Sequence, residues 1–562
     1  PFNSYISTLE EVEWYMDESK LILQSDLEDD QVLIDSLSND ELIDYPFSGH
    51  EFISIKEDQD SLRFFAGMAT YNLQQNTIDI EGVKLIKVAD AAIFPENGAV
   101  KVEGDAVLNV LENAQIIAGV QNKYHHIYGA DVNIFSRNKY TAKGLIDYVD
   151  RNNTHQPVSL DTIFVGSNGV SQGSAKLPPG ELFFLSPEYF FSGGIRFSAT
   201  EQFLRFTGGY RINEDCIGRE DSWISFDKHL NPNHIFFDLN LNTVDLYDRK
   251  ANFGLAYSYR AHRYYPLILQ AVNDSADQIL VSATGQIDFG TETNSFRVGQ
   301  SDRKAGNNIE SNFVQLNTNR CVLEGDGILN LGLDWGLDPD IFIAKAAGTF
   351  RHLILPDSTY INAVLLLNFY FDKKAAEMMA DSIRIANLAV VNAGDGLFPM
   401  FLKKELGTDR SALLITELSL YGQMKKVPKE IEHTLLFSDI HLKWEPGSHS
   451  FISQGPIGLG YIGGTAVNKY VNGFVQIEKG RAGNAVHIYL EISKKRWYFF
   501  SYRYGIMQVI SSDDAFNIYL EELSPNKRIL NENSDTEYYE YVISTRRKQI
   551  DFVRKMERLS RK

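Results

Sequence analysis

The chain has 562 residues, 44% of them hydrophobic and 12% aromatic, with 54 cationic side chains against 74 acidic ones for a net charge of −20. Such an acidic chain repels phosphate backbones, which argues against a general nucleic-acid role, and its length predicts roughly two to four domains rather than one core. The longest apolar run, residues 363–371, is interrupted by Asn368 and is far too short for a membrane-crossing helix.

Cys216 and Cys321 are the two cysteines. They define no disulfide framework and no CxxC metal spacing, and sequence leaves their pairing open. The sequence opens at Pro1 without a signal-peptide pattern, so we expect a processed product or part of a longer polypeptide.

Residues 1–60 form an acidic N-terminal segment broken by turn-forming residues. Its run DLEDD (26–30) lacks the glycine and terminal glutamate of a calcium loop and reads as a solvated loop.

From 61 to 350 alternating strands run out to a polar turn and back, as expected of an antiparallel β platform. The clearest copy is FSGGIRFSATEQFLRFTGGYRI (191–212), where Ile195, Phe197, Leu204 and Phe206 alternate with polar residues. Similar units lie at 67–83, 129–149 and 285–299, at irregular spacing and without a strand–helix–strand rhythm. The fold class expected is therefore mainly β: stacked antiparallel hairpins in a jelly-roll or sandwich-like array, with a smaller α+β region after them.

That α+β region spans 351–525. Residues 353–355 and 363–371 read as buried strands around a turn at 356–358. A helix capped by Asp372 follows, with an apolar stripe of Ala376, Met379, Ile383, Ala386 and Val390, ended by residues 392–396. AVHIYLEISKKRWYFFSYRYG (485–505) reads as a hairpin with a charged turn, and Ser512 and Asp513 cap a short helix through Leu523. Residues 526–562 read as a linker and a basic terminal helix from about Tyr541.

No catalytic signature emerges. His125 and His126 are adjacent and fall on opposite faces of a strand, His229 and His234 have the wrong spacing for a zinc helix, and no HExxH, GxSxG or phosphate-cradling glycine loop is present. GSNGVSQGSAKLPPG (166–180) reads as a flexible loop, and GPIGLGYIGG (455–464) as a turn or a close backbone approach. Neither a cofactor nor a metal ion is called for. Distributed carboxylates with Trp223, Trp335 or Trp444 would suit a glycan-binding or glycan-hydrolysing protein.

The least ordinary segment is 546–562, with eight cations against Asp551 and Glu557: a net of +6, leaving −26 for the rest. Phe552, Met556 and Leu559 form an apolar stripe. Such a helix either docks on the chain's own acidic body or anchors an acidic partner or anionic surface. The candidate partner contacts are Arg546, Arg547, Lys548, Arg554, Lys555 and Arg558.

The phrase ATYNLQQNTIDIEGVKLIKVADAAIFPENG resembles the strand, turn and return strand of OstA-type β-jelly-roll proteins of lipopolysaccharide transport, over residues 61–350. The whole chain, with its WYFFSYRYGIMQVISSDDAFN region and arginine-rich end, resembles the C-terminal part of large uncharacterised cell-envelope proteins of Bacteroidota. The second resemblance implies a periplasmic or outer-membrane setting. The leading expectation is a non-enzymatic structural or assembly subunit of the envelope, whose β platform meets other envelope proteins or the remainder of a longer polypeptide. The first resemblance implies a lipid-handling conduit, whose groove would be lined by Ile195, Phe197 and Phe206.

Overall fold

In the computed structural model, residues 3–8, 11–24, 34, 36–47, 51–177, 180–217, 222–300, 311–333, 341–394, 396–480, 483–531 and 538–560 are described. The protein is mainly β, as the alternating pattern leads one to expect. It divides into two units, residues 1–213 with 223–235, and residues 214–222 with 236–562. The composition change at residue 350 falls inside a strand, Ile343–Leu353, of the second unit.

Among the described residues, the first unit holds a 14-stranded and a six-stranded antiparallel sheet. Along most of the larger one, strand order follows chain order, because short polar turns return each strand beside the last. The hairpin at 191–212 is realised as Tyr189–Ser198 paired with Arg205–Ile212. There Gly193 faces Gly208. A Cβ on Gly193 would lie 2.4 Å from the Thr207 carbonyl oxygen, so the two backbones approach more closely than any side chain permits.

This sheet is rolled. Neighbouring strands lie about 4.8 Å apart, so four steps across a flat sheet span about 19 Å. Yet Tyr148, on Lys139–Val149, has its ring 5.4 Å from Phe206, four strands further on, and His125 lies 5.1 Å from Phe197. The inward side chains therefore cover one another: Ile195, Phe197 and Phe206 are 0%, 3% and 0% exposed. At these positions the chain's own side chains fill the space that an acyl groove would need.

The second unit holds a 16-stranded and a three-stranded sheet among the described residues. The larger is rolled too: Phe371 meets Phe500 at 5.8 Å and Phe342 meets Tyr539 at 4.8 Å. Helices Lys373–Arg384, Leu397–Leu406 and Thr408–Tyr421 belong to this unit. Phe398, Phe401, Leu402 and Leu418 pack on Val364, Leu366, Leu436 and Tyr461.

Several local expectations need correction. The segment 1–60 contains strands Tyr5–Ser7, Glu11–Tyr15, Lys20–Gln24 and Glu51–Ser54 and the helix Asn39–Asp44; its DLEDD run lies outside the described residues. Ser171–Lys176, expected in a flexible loop, is a strand whose first residue is held by Asp90: the Ser171 N–H donates to both carboxylate oxygens at 3.0 Å. The helix after Asp372 stops at Arg384, and Val390 is 66% exposed, because only its first three stripe residues, Ala376, Met379 and Ile383, find a sheet to cover. Residue 541 is in the strand Tyr538–Ile543, which pairs in parallel with Ile506–Ser511, and the last helix begins at Arg546. The segment 455–464 supplies both a strand, Ile457–Ile462, and a close approach, with a Cβ on Gly458 falling 2.9 Å from Asp439.

Candidate partner surfaces

The six-stranded sheet ends in Glu11–Tyr15, a five-residue strand with every side chain exposed. Its register explains what it presents. Trp14 sits opposite Leu21, Leu21 opposite Tyr71, Tyr71 opposite Ile78 and Ile78 opposite Val102, and a parallel row runs through Val12, Leu23, Ala69, Ile80 and Val100. Residues directly opposite share a face, so each row is one apolar stripe crossing the sheet. Every member of the two rows inward of the edge is buried, whereas Val12 and Trp14 are each 59% exposed and Met16, in the turn beyond, 70%. The outer backbone groups of this strand have no strand beside them among the described residues. An apolar edge of this kind is a template for another strand.

The second surface is the last helix, Arg546–Ser560, whose N-terminus is capped by the Thr545 hydroxyl accepting from the Lys548 N–H at 3.3 Å. Phe552 and Met556 are buried against Ile452, Tyr489, Trp497 and Phe499. The six candidate cations separate by face. Arg546 lies over the Trp497 ring at 5.5 Å, Lys548 donates to Gln508 at 2.9 Å and Lys555 to Gln476 at 3.3 Å. All six are exposed, but Arg547, Arg554 and Arg558 fall on the side of the helix away from Phe552 and Met556, with Asp551 a loose 3.9 Å from Arg547. Nearby, Glu478 accepts from Arg503 at 2.8 Å. Its carboxyl is held down to about 2, foremost by the adjacent His487, against the cost of burial and with the charges of Arg503 and Lys555 adding.

Because Phe552 and Met556 face the sheet, the helix has no broad apolar side left to lie in a lipid interface. The outward arginines suit an acidic protein surface. Arg561 and Lys562 lie outside the described residues.

Of the three tryptophans that the sequence offered for sugar stacking, two are packed by the chain's own side chains. Trp444 is 3% exposed and packed by Tyr257, Tyr264 and Phe451, the Arg211 guanidinium covers the Trp223 ring at 5.2 Å, and Trp335 lies outside the described residues. Among the described residues no group of three or more His, Cys, Asp or Glu is placed to hold a metal ion, and no helix is long and apolar enough to cross a membrane.

Two features escaped sequence reading. Cys216 and Cys321 form a disulfide within the second unit, their Cα atoms 5.3 Å apart. Lys479 is 3% exposed, its Nζ donating to Gln278 Oε1 at 2.8 Å and to the Leu331 carbonyl, 5.9 Å from the Tyr257 ring. Burial pushes this amine down to about 7. No local motif announces either, because each depends on segments brought together from far along the chain.

The fold is thus that of a large, mainly antiparallel β protein with an exposed apolar sheet edge and a terminal helix that turns arginines outward. No family model, curated protein or solved structure matches the chain.

Proposed function

We propose that the chain is a non-enzymatic assembly subunit of the bacterial cell envelope, a β platform that recruits an extended segment of another envelope protein to its open sheet edge. The observation that carries this reading is the pair of apolar rows that emerge from the core at Val12 and Trp14 on an edge strand whose outer side has no strand beside it among the described residues. A strand added there gains main-chain hydrogen bonds and continues both rows, burying side chains that water now surrounds. The Cys216–Cys321 disulfide supports an oxidising compartment such as the periplasm, and the outward arginines of the last helix supply a second, electrostatic contact.

The test is affinity isolation from native membranes under mild conditions with mass spectrometry, for the wild type and for Trp14→Lys, which places a charge on the edge. Wild type should retain a partner that the variant loses by about tenfold. A wild-type chain that retains no partner removes the proposal.

A further inference from the structure

The edge strand Glu11–Tyr15 has a second face. Val12 and Trp14 carry the apolar rows, and Glu11, Glu13 and Tyr15 point the other way, because successive side chains along a strand alternate. Glu11 and Glu13 are exposed and each accepts from a neutral donor, Glu13 from the Tyr15 hydroxyl at 2.8 Å and Glu11 from the Gln24 amide at 3.3 Å. The surrounding sequence adds to their charge. Residues 1–55 hold fourteen acidic side chains and one lysine, Lys20, so this stretch carries −13 of the chain's net −20.

The backbone decides which of these side chains a newcomer meets at closest range. The Leu73 N–H donates to the Ser19 carbonyl at 2.9 Å, which makes Ser19 and Leu73 a hydrogen-bonded pair at the end of the ladder between Lys20–Gln24 and Met68–Asn72. Bonding sides alternate along an antiparallel strand. Leu21 and Leu23 therefore direct their backbone groups to Met68–Asn72, while Lys20, Ile22 and Gln24 direct theirs to Tyr15, Glu13 and Glu11. That leaves the N–H and C=O groups of Val12 and Trp14 aimed outward. An antiparallel newcomer bonds opposite those two residues. Its own residues opposite Glu11 and Glu13 fall in the narrow, non-hydrogen-bonded positions, with Cα atoms about 4.5 Å apart.

Like charges directly opposite destabilise a strand pair, and unlike charges stabilise it. A second copy of this chain brings the same acidic stretch to the contact and is repelled. A strand with lysine or arginine at every other position is attracted before contact and paired on arrival.

We propose, with strand addition at this edge as the premise, that the occupant is an extended partner segment in which apolar residues alternate with lysine or arginine. The apolar residues continue the rows of Val12 and Trp14, and the cations stand opposite Glu11 and Glu13.

The test titrates the full chain with three labelled, end-blocked peptides and follows fluorescence anisotropy. KVKWKVK has the proposed pattern, EVEWEVE repeats the chain's own alternation, and KKVWVKK keeps the composition of the first without its alternation. KVKWKVK should bind about tenfold tighter than either of the others at low salt, weaken as salt rises, and slow amide exchange at Val12 and Trp14. In the double variant Glu11→Lys with Glu13→Lys, both at exposed positions, EVEWEVE should become the tighter ligand. Equal binding of KVKWKVK and EVEWEVE leaves the open edge standing and overturns the charge selection. Equal binding of KVKWKVK and KKVWVKK overturns it as well, since bulk charge then suffices, and tighter binding of EVEWEVE to the wild type overturns it in favour of a second copy. Binding of none of the three up to about 1 mM removes strand addition itself.

Discussion

Lys479 holds an amine where an ammonium ion is costly. Its usual value of 10.5 falls to about 7 in the fold through burial. Above 10.5 the group is neutral in folded and unfolded chains alike and contributes nothing. Between about 7 and 10.5 the unfolded chain keeps a proton that the folded chain has released, so stability drops as pH falls through this window and levels off below it. The full span is at most about 5 kcal/mol. Lys479→Met, which retains the packing of the stem, should flatten this dependence; denaturant melts of both proteins at pH 7, 8.5 and 10 measure it. Parallel slopes for the two proteins would show that the amine stays charged inside. Nothing in GFVQIEKGRAG marks Lys479 as buried, since a lysine after a strand is ordinarily solvated.

At the level of single elements, hairpins were readable wherever one face is buried and the other wet, because two-residue alternation then writes the register into the sequence. Residues 129–149 and 485–505 fold as expected, as His125–Ser136 with Lys139–Val149 and as Ala485–Ser493 with Arg496–Arg503. Alternation also runs through Glu11, Val12, Glu13 and Trp14, but the acidic surroundings masked that strand. The helices Leu397–Leu406 and Thr408–Tyr421 went unread for another reason. They follow one another directly around Gly407, and the second buries only Ser411 and Leu418, so its apolar stripe is weak. The last helix was legible as an apolar and a basic face, but not which face the body would take. Its docking depends on Phe552 and Met556. Met556→Ala should cost about 2–5 kcal/mol of local stability and raise amide exchange through residues 546–560. Exchange at wild-type rates would mean that the helix is held by its cations instead.

For the molecule as a whole, mainly β architecture followed from composition and pattern, whereas the rolling of each large sheet did not, because it rests on contacts between strands four or more places apart. The disulfide belongs to this scale as well. Cys216 and Cys321 are 105 residues apart, and tying so long a loop limits the unfolded chain by about 4–5 kcal/mol. Reduction, or Cys321→Ser, should lower the denaturant midpoint of the second unit by a corresponding amount, with the first unit unmoved. A shift shared by both would show that they unfold as one.

The chain-following strand order has a bearing on synthesis. As the polypeptide leaves the ribosome or an export channel, each hairpin can zip onto its predecessor at once, since its turn closes only a short loop. The cover for each strand arrives late: the ring of Tyr148 waits for Phe206, and that of Phe371 for Phe500. For the dozens of residues in between, the nascent ribbon carries a wet greasy side, and a holding chaperone that recognises alternating aromatic strands is the helper such a chain requires.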